Sequence, residues 1–249
     1  MILSIIIPNF NSGLLLKKSL ESIYCKKLQF SFEVLILDNC STDHPENIIQ
    51  KFPFDNLFFF SESDSGIYDA MNKGIKRAKG NWLYFLGSGD LILFTDISFL
   101  KSSQSDFFYG DVEYKKSKLL ESGNHSLFDI LRCNICHQRV FYKKTIFEKI
   151  GFFNLSYLVM ADYDLNIRCF LNKEIRVEYD SILIATYLGD GFSSNNKDQI
   201  FEKSKPKLAL SYWKRDPTVL NGGYLFIYFL WLVKQKFFYE LSKRFKIKL

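Results

Sequence analysis

The chain has no apolar run long enough to span a membrane and no segment typical of a secretory leader. A membrane-spanning helix needs about 20 consecutive apolar residues, and the longest apolar stretch near the end, residues 224–233, is well short of that. The opening string MILSIIIPNFN has no basic region ahead of its apolar residues and meets a proline at Pro8, which does not match a signal peptide. We therefore expect a cytoplasmic protein.

Cysteine and histidine are scarce, with five cysteines and three histidines. An odd number of irregularly spaced cysteines indicates reduced thiols rather than a disulfide framework. Residues 133–137 spell CNICH, the haem-attachment pattern, but the chain shows neither an export signal nor a placed distal ligand. A zinc site would need a second pair of ligands, which neither His44 nor His125 supplies by its spacing.

Basic residues are in only a small excess over acidic ones. The net charge is +6, from 33 basic and 27 acidic residues, and the basic excess is concentrated in residues 203–248. A nucleic-acid-binding protein is expected to show clustered basic stripes, so we expect no nucleic-acid partner.

Alternating apolar runs and helical patterns are abundant, however. Buried strands are expected at residues 3–8, 33–38, 57–60 and 82–86, with helices between them at 14–23, 44–52 and 67–78. This alternation predicts an α/β fold with a mostly parallel, Rossmann-like sheet flanked by helices. Thr42 and Asp43 are candidate N-caps of the second helix.

The hydrophobic pattern changes in the second half of the chain. It predicts a region of mixed strands and helices, followed by a helical tail. We expect strands at residues 106–114 (kinked at Gly110), 139–142, 175–179 and 182–187, and helices at 127–133, 144–150 and 161–170. The tail from residue 199 is expected to be helical, with breaks at Pro206 and Pro217. The predicted partition is a domain over 1–198, in halves 1–114 and 115–198, and a C-terminal helical tail over 199–249.

The string Ser88-Gly89-Asp90 follows the predicted strand at residues 82–86. A carboxylate at the carboxyl end of a buried strand can hold a divalent cation at a ligand crevice, and an adjacent glycine lets the backbone approach an anion closely. The same letters also suit an ordinary turn.

Six motifs in a fixed order place this string in context. They are SIIIPNFN (4–11), VLILDNCSTD (34–43), SDSGIYDAMNKGIKRAKG (63–80), WLYFLGSGD (82–90), CHQ (136–138) and MADYDLNIR (160–168). Together they resemble the family 2 inverting glycosyltransferases of the GT-A fold, over roughly residues 2–195. The usual D-x-D metal motif of that family is here SGD, as in a sub-group of it.

The resemblance implies a nucleotide-sugar site on the first half of the sheet. Asp38 would accept hydrogen bonds from the nucleotide base; the alternative is an Asx-turn with Ser41 or Thr42. Asp90 would hold Mg²⁺ or Mn²⁺, with the donor diphosphate and water completing the shell. The residues implied to bind the donor are Pro8, Asn9, Asn11, Asp38, Asp64, Asp69, Asn72, Ser88 and Gly89.

The resemblance also implies a general base at the start of the helix over residues 161–170. Asp162 is its matching residue, and Asp164 is the competing candidate; both could instead be capping acids. The residues implied near the acceptor or the diphosphate are His137, Gln138, Arg168 and Ser193, the last in the glycine-containing loop GDGFS at 189–193. His137 could equally be structural.

The implied activity is transfer of a sugar, from a UDP-sugar by preference, to a glycan or a polyprenyl-diphosphate-linked acceptor in surface polysaccharide synthesis. The alternatives are a nucleotidyltransferase, which would usually carry a basic loop after the first strand, and an inactive nucleotide-binding module of the same fold. Residues 222–245 are rich in aromatic and basic residues, which suits an interfacial helix on an anionic membrane, a helix packed on the core, or a dimer interface.

Overall fold

A computed structural model describes residues 2–188 and 198–215 of the chain. The first half contains strands β1 (Leu3–Asn9), β2 (Phe32–Asp38), β3 (Leu57–Ser61), β4 (Trp82–Phe85) and β5 (Leu91–Ile92). Its helices are α1 (Gly13–Tyr24), α2 (Glu46–Ile49), α3 (Ile67–Arg77) and α4 (Ser98–Ser102). The predicted alternation of strand and helix is therefore confirmed.

The second half contains β6 (Phe107–Tyr114), β7 (Leu120–Glu121), α5 (Leu127–Arg132), a 3-10 turn (His137–Arg139), β8 (Val140–Lys143), α6 (Thr145–Ile150), α7 (Ala161–Phe170), β9 (Val177–Tyr187) and α8 (Gln199–Arg215). The two β segments expected at 175–179 and 182–187 form the single strand β9. The predicted break at Pro206 is wrong, because α8 continues through it.

The strands form one nine-stranded sheet in the order β3-β2-β1-β4-β8-β6-β9-β5, with β7 paired to β6. The strands β3, β2, β1 and β4 pair in parallel, which brings their carboxyl ends to one edge. The strand β8 joins this unit antiparallel to β4, and β6 pairs in parallel with β9. The expected α/β fold, a sheet flanked by helices, is confirmed.

Both faces of the sheet are buried, which explains the continuous apolar runs of its strands. Successive residues of β1 alternate between two apolar clusters: Ile6 packs with α3 residues such as Met71, whereas Ile5 and Ile7 pack with α1 residues such as Leu16. The parallel unit is therefore fixed from both sides, and its strand ends are held at a rigid edge.

The kink expected at Gly110 is a register irregularity between β6 and β9. A Cβ on Gly110 would lie 2.3 Å from the carbonyl oxygen of Ile182, so only glycine allows the two backbones to approach this closely.

The loop before α2 differs from the expectation. The N-cap of α2 is Pro45, with no side-chain cap, and Asp43 instead accepts a 2.7 Å hydrogen bond from the backbone N–H of Gly13 at the start of α1. The proposed capping role of Thr42 and Asp43 is therefore wrong, because Asp43 fixes the beginning of a different helix.

The helix α8 packs on the main domain. Phe201 is fully buried and Lys205 is nearly so, and the Lys205 ammonium donates to the Tyr163 hydroxyl of α7 at 2.7 Å. The predicted boundary at residue 198 stays a prediction, and the expected interfacial segment at 222–245 lies outside the described residues. Among the described residues, no helix is long and apolar enough to cross a membrane.

Candidate active site

Hydrogen-bonded polar side chains join the carboxyl ends of the four parallel strands. Ser88, just after β4, donates to the Oδ1 of Asn9 at the end of β1 at 3.0 Å. Asn9 donates through Nδ2 to Asp38 at the end of β2 at 2.8 Å, and Ser61 at the end of β3 donates to the same carboxylate at 2.9 Å. This chain of contacts fixes the floor of a cavity at the edge of the sheet.

The cavity has a volume of about 480 Å³ and lies above these strand ends. The predicted site residues that line it are Pro8, Asn9, Asp64, Asp69, Ser88, Asp90, His137, Gln138 and Asp162. Residues separated by more than 150 positions in sequence thus meet in one place.

Asp38 does not line this cavity. Its carboxylate accepts hydrogen bonds from Asn9, Ser61 and both the backbone N–H and hydroxyl of Ser41. Burial alone would raise the pKa of Asp38, but these hydrogen bonds outweigh it and the pKa lies below its usual range. The Asx-turn alternative is present, and in this conformation Asp38 positions Asn9 and Ser41 rather than facing the cavity.

Three further residues expected to bind the donor also lie outside the lining. Asn11 accepts from the backbone N–H of Thr42 at 2.9 Å, and so fixes the loop after β2. Asn72 forms two hydrogen bonds with the backbone of Phe153, which explains its burial. Gly89 has a φ of +104° and allows the turn between β4 and β5.

The N-terminal end of α3 forms one wall of the cavity. Asp69 accepts from the N–H and hydroxyl of Ser65, and Asp64 accepts from the N–H of Gly66 at 2.9 Å. Burial raises the pKa of Asp64, although the Gly66 N–H opposes this. Asn39 also lines the cavity and accepts from the N–H of Asp64 at 2.9 Å.

Asp90 is almost fully buried at the base of the cavity. Its Oδ1 accepts from the backbone N–H of Leu188 at 3.0 Å, and its Oδ2 from the Gln138 side chain at 2.8 Å. Burial raises the pKa of this carboxyl, partly offset by those hydrogen bonds. A Cβ on Gly87 would lie 2.5 Å from Oδ2, so glycine is needed to admit the carboxylate.

Asp162 also lines the cavity, in the first turn of α7. Its Oδ1 accepts from the N–H of Tyr163 at 2.8 Å and contacts the Tyr68 hydroxyl at 3.0 Å. Its Oδ2 contacts Nδ2 of Asn134 at 3.2 Å and Nδ1 of His137 at 3.3 Å. The contacts to Oδ2 are the longer and therefore the weaker ones.

Asp164 and Arg168 are paired with each other and lie outside the lining. The Nε of Arg168 donates to Asp164 at 2.8 Å, and its guanidinium also donates to the Phe152 carbonyl at 2.8 Å. Burial raises the pKa of Asp164, although the Arg168 charge opposes this. Arg168 therefore anchors α7 to the segment after α6, and Asp162 is the acid that faces the cavity. Ser193 lies outside the described residues.

The cavity carries negative charge. Its described lining contains the carboxylates of Asp64, Asp69, Asp90 and Asp162 and neither lysine nor arginine. Phe10, which sequence reasoning did not single out, lines the cavity with 59% of its surface exposed. Tyr68, Asn39 and Gly87 were missed as well, although each lies inside one of the six motifs.

The sheet, with Asp90 just beyond its last parallel strand and Asp162 at the N-terminal end of α7 in the same cavity, agrees with the expected glycosyltransferase of the GT-A fold. The chain belongs to the family described as "Glycosyl transferase family 2", whose model matches residues 4–151.

Known proteins with similar sequences carry names of that class. A Mycobacterium tuberculosis protein named "PGL/p-HBAD biosynthesis glycosyltransferase" is 37% identical over 236 residues, which cover 88% of this chain and 92% of that protein. A Mycobacterium bovis protein of the same name has the same identity and coverage.

Solved structures share the fold at low sequence identity. Staphylococcus aureus TarS 1-349 in complex with UDP-GlcNAc has a TM-score of 0.66 and 20% identity, covering 84% of this chain and 66% of that one. The mannosyltransferase PcManGT from Pyrobaculum calidifontis, in complex with GDP-Man and Mn²⁺, has a TM-score of 0.56 and 14% identity, covering 85% and 69%. This chain thus spans about two thirds of the length of these structures.

Proposed function

We propose that the protein transfers a hexosyl or N-acetylhexosaminyl group from a nucleoside-diphosphate sugar to an acceptor hydroxyl, with inversion at the anomeric carbon. The observation that carries this proposal is that Asp90 and Asp162 lie in the walls of one cavity. One carboxylate is placed to serve the leaving diphosphate, and the other to serve the attacking hydroxyl.

The nucleotide occupies the side of the cavity formed by the end of β1 and the start of α3. Phe10 offers an exposed aromatic face on which a base can stack. Asn39 and Asp64 lie on the same side and offer polar groups to the base and the ribose. UDP is the favoured nucleotide, a choice supported by the UDP and UDP-GlcNAc complexes of the TarS fold neighbour.

A divalent cation fits the chemistry of this cavity. No cluster of three or more histidine, cysteine or carboxylate groups is present among the described residues, so these residues would hold a cation only together with ligands from the donor or from water. Asp90 can supply one carboxylate oxygen, and Mg²⁺ or Mn²⁺ commonly takes its other ligands from phosphates and water. When bound, the cation would neutralise charge on the departing diphosphate.

Asp162 acts as the general base. Oδ2 takes the proton of the acceptor hydroxyl as that oxygen attacks the anomeric carbon, on the face opposite the leaving diphosphate. Asp162 lies in the first turn of α7, where backbone N–H groups have no partner within the helix. The incoming hydroxyl replaces one of the two long contacts to Oδ2, from Asn134 or from His137.

The acceptor belongs to cell-envelope glycan or glycolipid synthesis. This is supported by the name of the mycobacterial relatives, which places them in PGL/p-HBAD biosynthesis. Peripheral binding to the inner face of an anionic membrane through residues 222–245 is part of the same proposal. Liposome flotation of full-length protein and of a form ending at residue 221 tests it; equal flotation of the two would overturn it.

The two alternatives have less support. A nucleotidyltransferase would need basic groups near the triphosphate, and the described lining has no lysine or arginine. An inactive module would have no need of both aspartates in one cavity.

Release of nucleoside diphosphate from a panel of nucleotide sugars tests the proposal. Slow hydrolysis that requires Mg²⁺ or Mn²⁺, stops with a chelator, and is lost in Asp90→Asn is the expected result. Absence of any turnover together with absence of UDP binding would contradict it.

A further inference from the structure

Two exposed leucines lie beside the proposed base. Leu155 and Leu158 are 52% and 54% exposed, and both line the cavity that contains Asp162. Scattered exposed leucines are ordinary on a protein surface, but large apolar side chains gathered in a concave site indicate an apolar ligand group.

The segment that carries these leucines is held firmly in place. Tyr157 is buried, and Val159 is tied on both sides: its carbonyl accepts from the Tyr68 hydroxyl at 2.8 Å, and its N–H donates to Asp198 at 3.3 Å. Leu158 lies between the buried Tyr157 and Val159, and Leu155 lies in the turn where the Tyr157 N–H donates to the Asn154 carbonyl at 3.2 Å. The exposure of both leucines is therefore a property of a fixed surface. Residues 152–160 contain no charged side chain.

The charge of the cavity restricts the acceptor further. The described lining has no lysine or arginine to pair with a phosphate on the acceptor, and of its four carboxylates one, Asp69, is paired with Lys73 at 3.6 Å. A single divalent cation at Asp90 would be engaged by the donor diphosphate. An acceptor that carries its own diphosphate next to the reacting hydroxyl would therefore meet uncompensated repulsion.

We infer that the acceptor is an uncharged glycoside or alcohol whose alkyl or aryl group packs on Leu155 and Leu158, with its hydroxyl directed to Asp162. This inference rests on the proposed function and names the substrate class of the same site. It excludes an acceptor in which the sugar that carries the reacting hydroxyl is attached directly to a polyprenyl diphosphate.

An acceptor panel tests the inference with the full-length protein. Octyl, phenyl and methyl glycosides of the same monosaccharides, together with polyprenyl-diphosphate sugars, are compared by kcat/KM at a saturating donor concentration. The octyl and phenyl glycosides are expected to exceed the methyl glycoside by about tenfold or more, a typical effect of filling an apolar pocket. Equal rates for octyl and methyl glycosides, or a preference for the diphosphate acceptor, would overturn the inference.

A matched pair of variants locates the effect. The double variant Leu155→Ser, Leu158→Ser is expected to reduce the octyl-to-methyl ratio of kcat/KM by about tenfold. Leu119→Ser changes a leucine that is 66% exposed in the β6–β7 turn, outside the lining, and should leave the ratio unchanged. An unchanged ratio in the double variant would place the apolar site elsewhere and contradict the inference.

Hydrolysis of the donor distinguishes a failure of this inference from a failure of the proposed function. If metal-dependent release of nucleoside diphosphate occurs but the octyl and phenyl glycosides show no higher kcat/KM than the methyl glycoside, only the inference fails. If the protein neither binds UDP nor hydrolyses any donor, the proposed function fails and the inference fails with it.

Discussion

Gln138 donates a hydrogen bond from Nε2 to Oδ2 of Asp90 at 2.8 Å. The preceding residue, His137, contacts Asp162 with Nδ1 at 3.3 Å. Two consecutive residues of one 3-10 turn therefore hold the proposed metal ligand and the proposed base. This turn links the two carboxylates, because it contacts each of them through one side chain.

The first prediction distinguishes the two candidate bases. Asp162→Asn should lower kcat by about 10²–10⁴-fold and keep UDP binding, since it removes a proton acceptor from the cavity wall. Asp164→Asn should instead lower the thermal midpoint, because it weakens the contact to Arg168. Acceptor-dependent turnover and thermal unfolding of both variants check this. A crippled but fully stable Asp164→Asn would mean that the base is misassigned.

The second prediction concerns the departure from D-x-D. The Ser88 hydroxyl lies 3.0 Å from both the Pro8 carbonyl and the Oδ1 of Asn9, which are both acceptors. Ser88→Asp should therefore reduce activity, because a carboxylate would face two oxygens. Titration of Mn²⁺ in a turnover assay measures this, with Ser88→Ala as the control. If Ser88→Asp reached half-maximal activity at a lower Mn²⁺ concentration and had a higher activity, the assigned role of Ser88 would be contradicted.

The third prediction tests the position of the Asp90 carboxylate. Gly87→Ala would place a methyl group 2.5 Å from Oδ2 and push the side chain out of its hydrogen bonds. Metal-dependent UDP affinity should fall by tenfold or more, while metal-independent affinity changes little. Calorimetric titration with and without Mn²⁺ gives both values. Unchanged metal dependence would show that Asp90 does not bind the cation.

The fourth prediction concerns pH and stability. Burial lowers the pKa of Lys205 to about 8 from its ordinary 10.5. Between pH 8 and 10.5 the Lys205 ammonium of the unfolded chain is still protonated, whereas that of the native state has lost its proton, so the free energy of unfolding rises with pH. Below pH 8 the side chain is charged in both states, and its burial opposes folding. Lys205→Met should thus be more stable at pH 7, by up to about 3 kcal/mol, with the gap closing by pH 10.5.

Urea unfolding of the wild type and of Lys205→Met at several pH values measures that gap. Lys207→Met, at an exposed position of the same helix, is the control and should follow the wild-type pH dependence. A constant difference between the wild type and Lys205→Met would contradict the burial of this charge.

Sequence reasoning could place the elements and the strand ends, because these depend on local periodicity. It located Asp90 after β4 as the metal ligand and Asp162 in the first turn of α7 as the base, and it left Asp164 open as the competing base. For Asp38 the local turn with Ser41 was foreseen as an alternative, but the hydrogen bonds from Asn9 and Ser61 could not be predicted, since those side chains come from other strands. Asn72 is a similar case, with its partner Phe153 far away in the chain.

Arg168 is a second residue whose role could not be predicted from the sequence. Its spacing from Asp162 allowed either an anchor or a phosphate ligand, and only the packing of α7 on the end of α6 separates the two. The exposure of Leu155 and Leu158 likewise depends on which neighbours the fold buries, and a run of apolar letters at 152–160 does not contain that information.

The most direct test of the account is the configuration of the product, read by ¹H NMR from the anomeric coupling constant. An α-linked UDP-sugar and an octyl glycoside acceptor, with Mn²⁺, should give a β-linked product that is absent with Asp162→Asn. An α-linked product, or a β-linked product formed equally well by Asp162→Asn, would contradict a single inverting displacement assisted by Asp162.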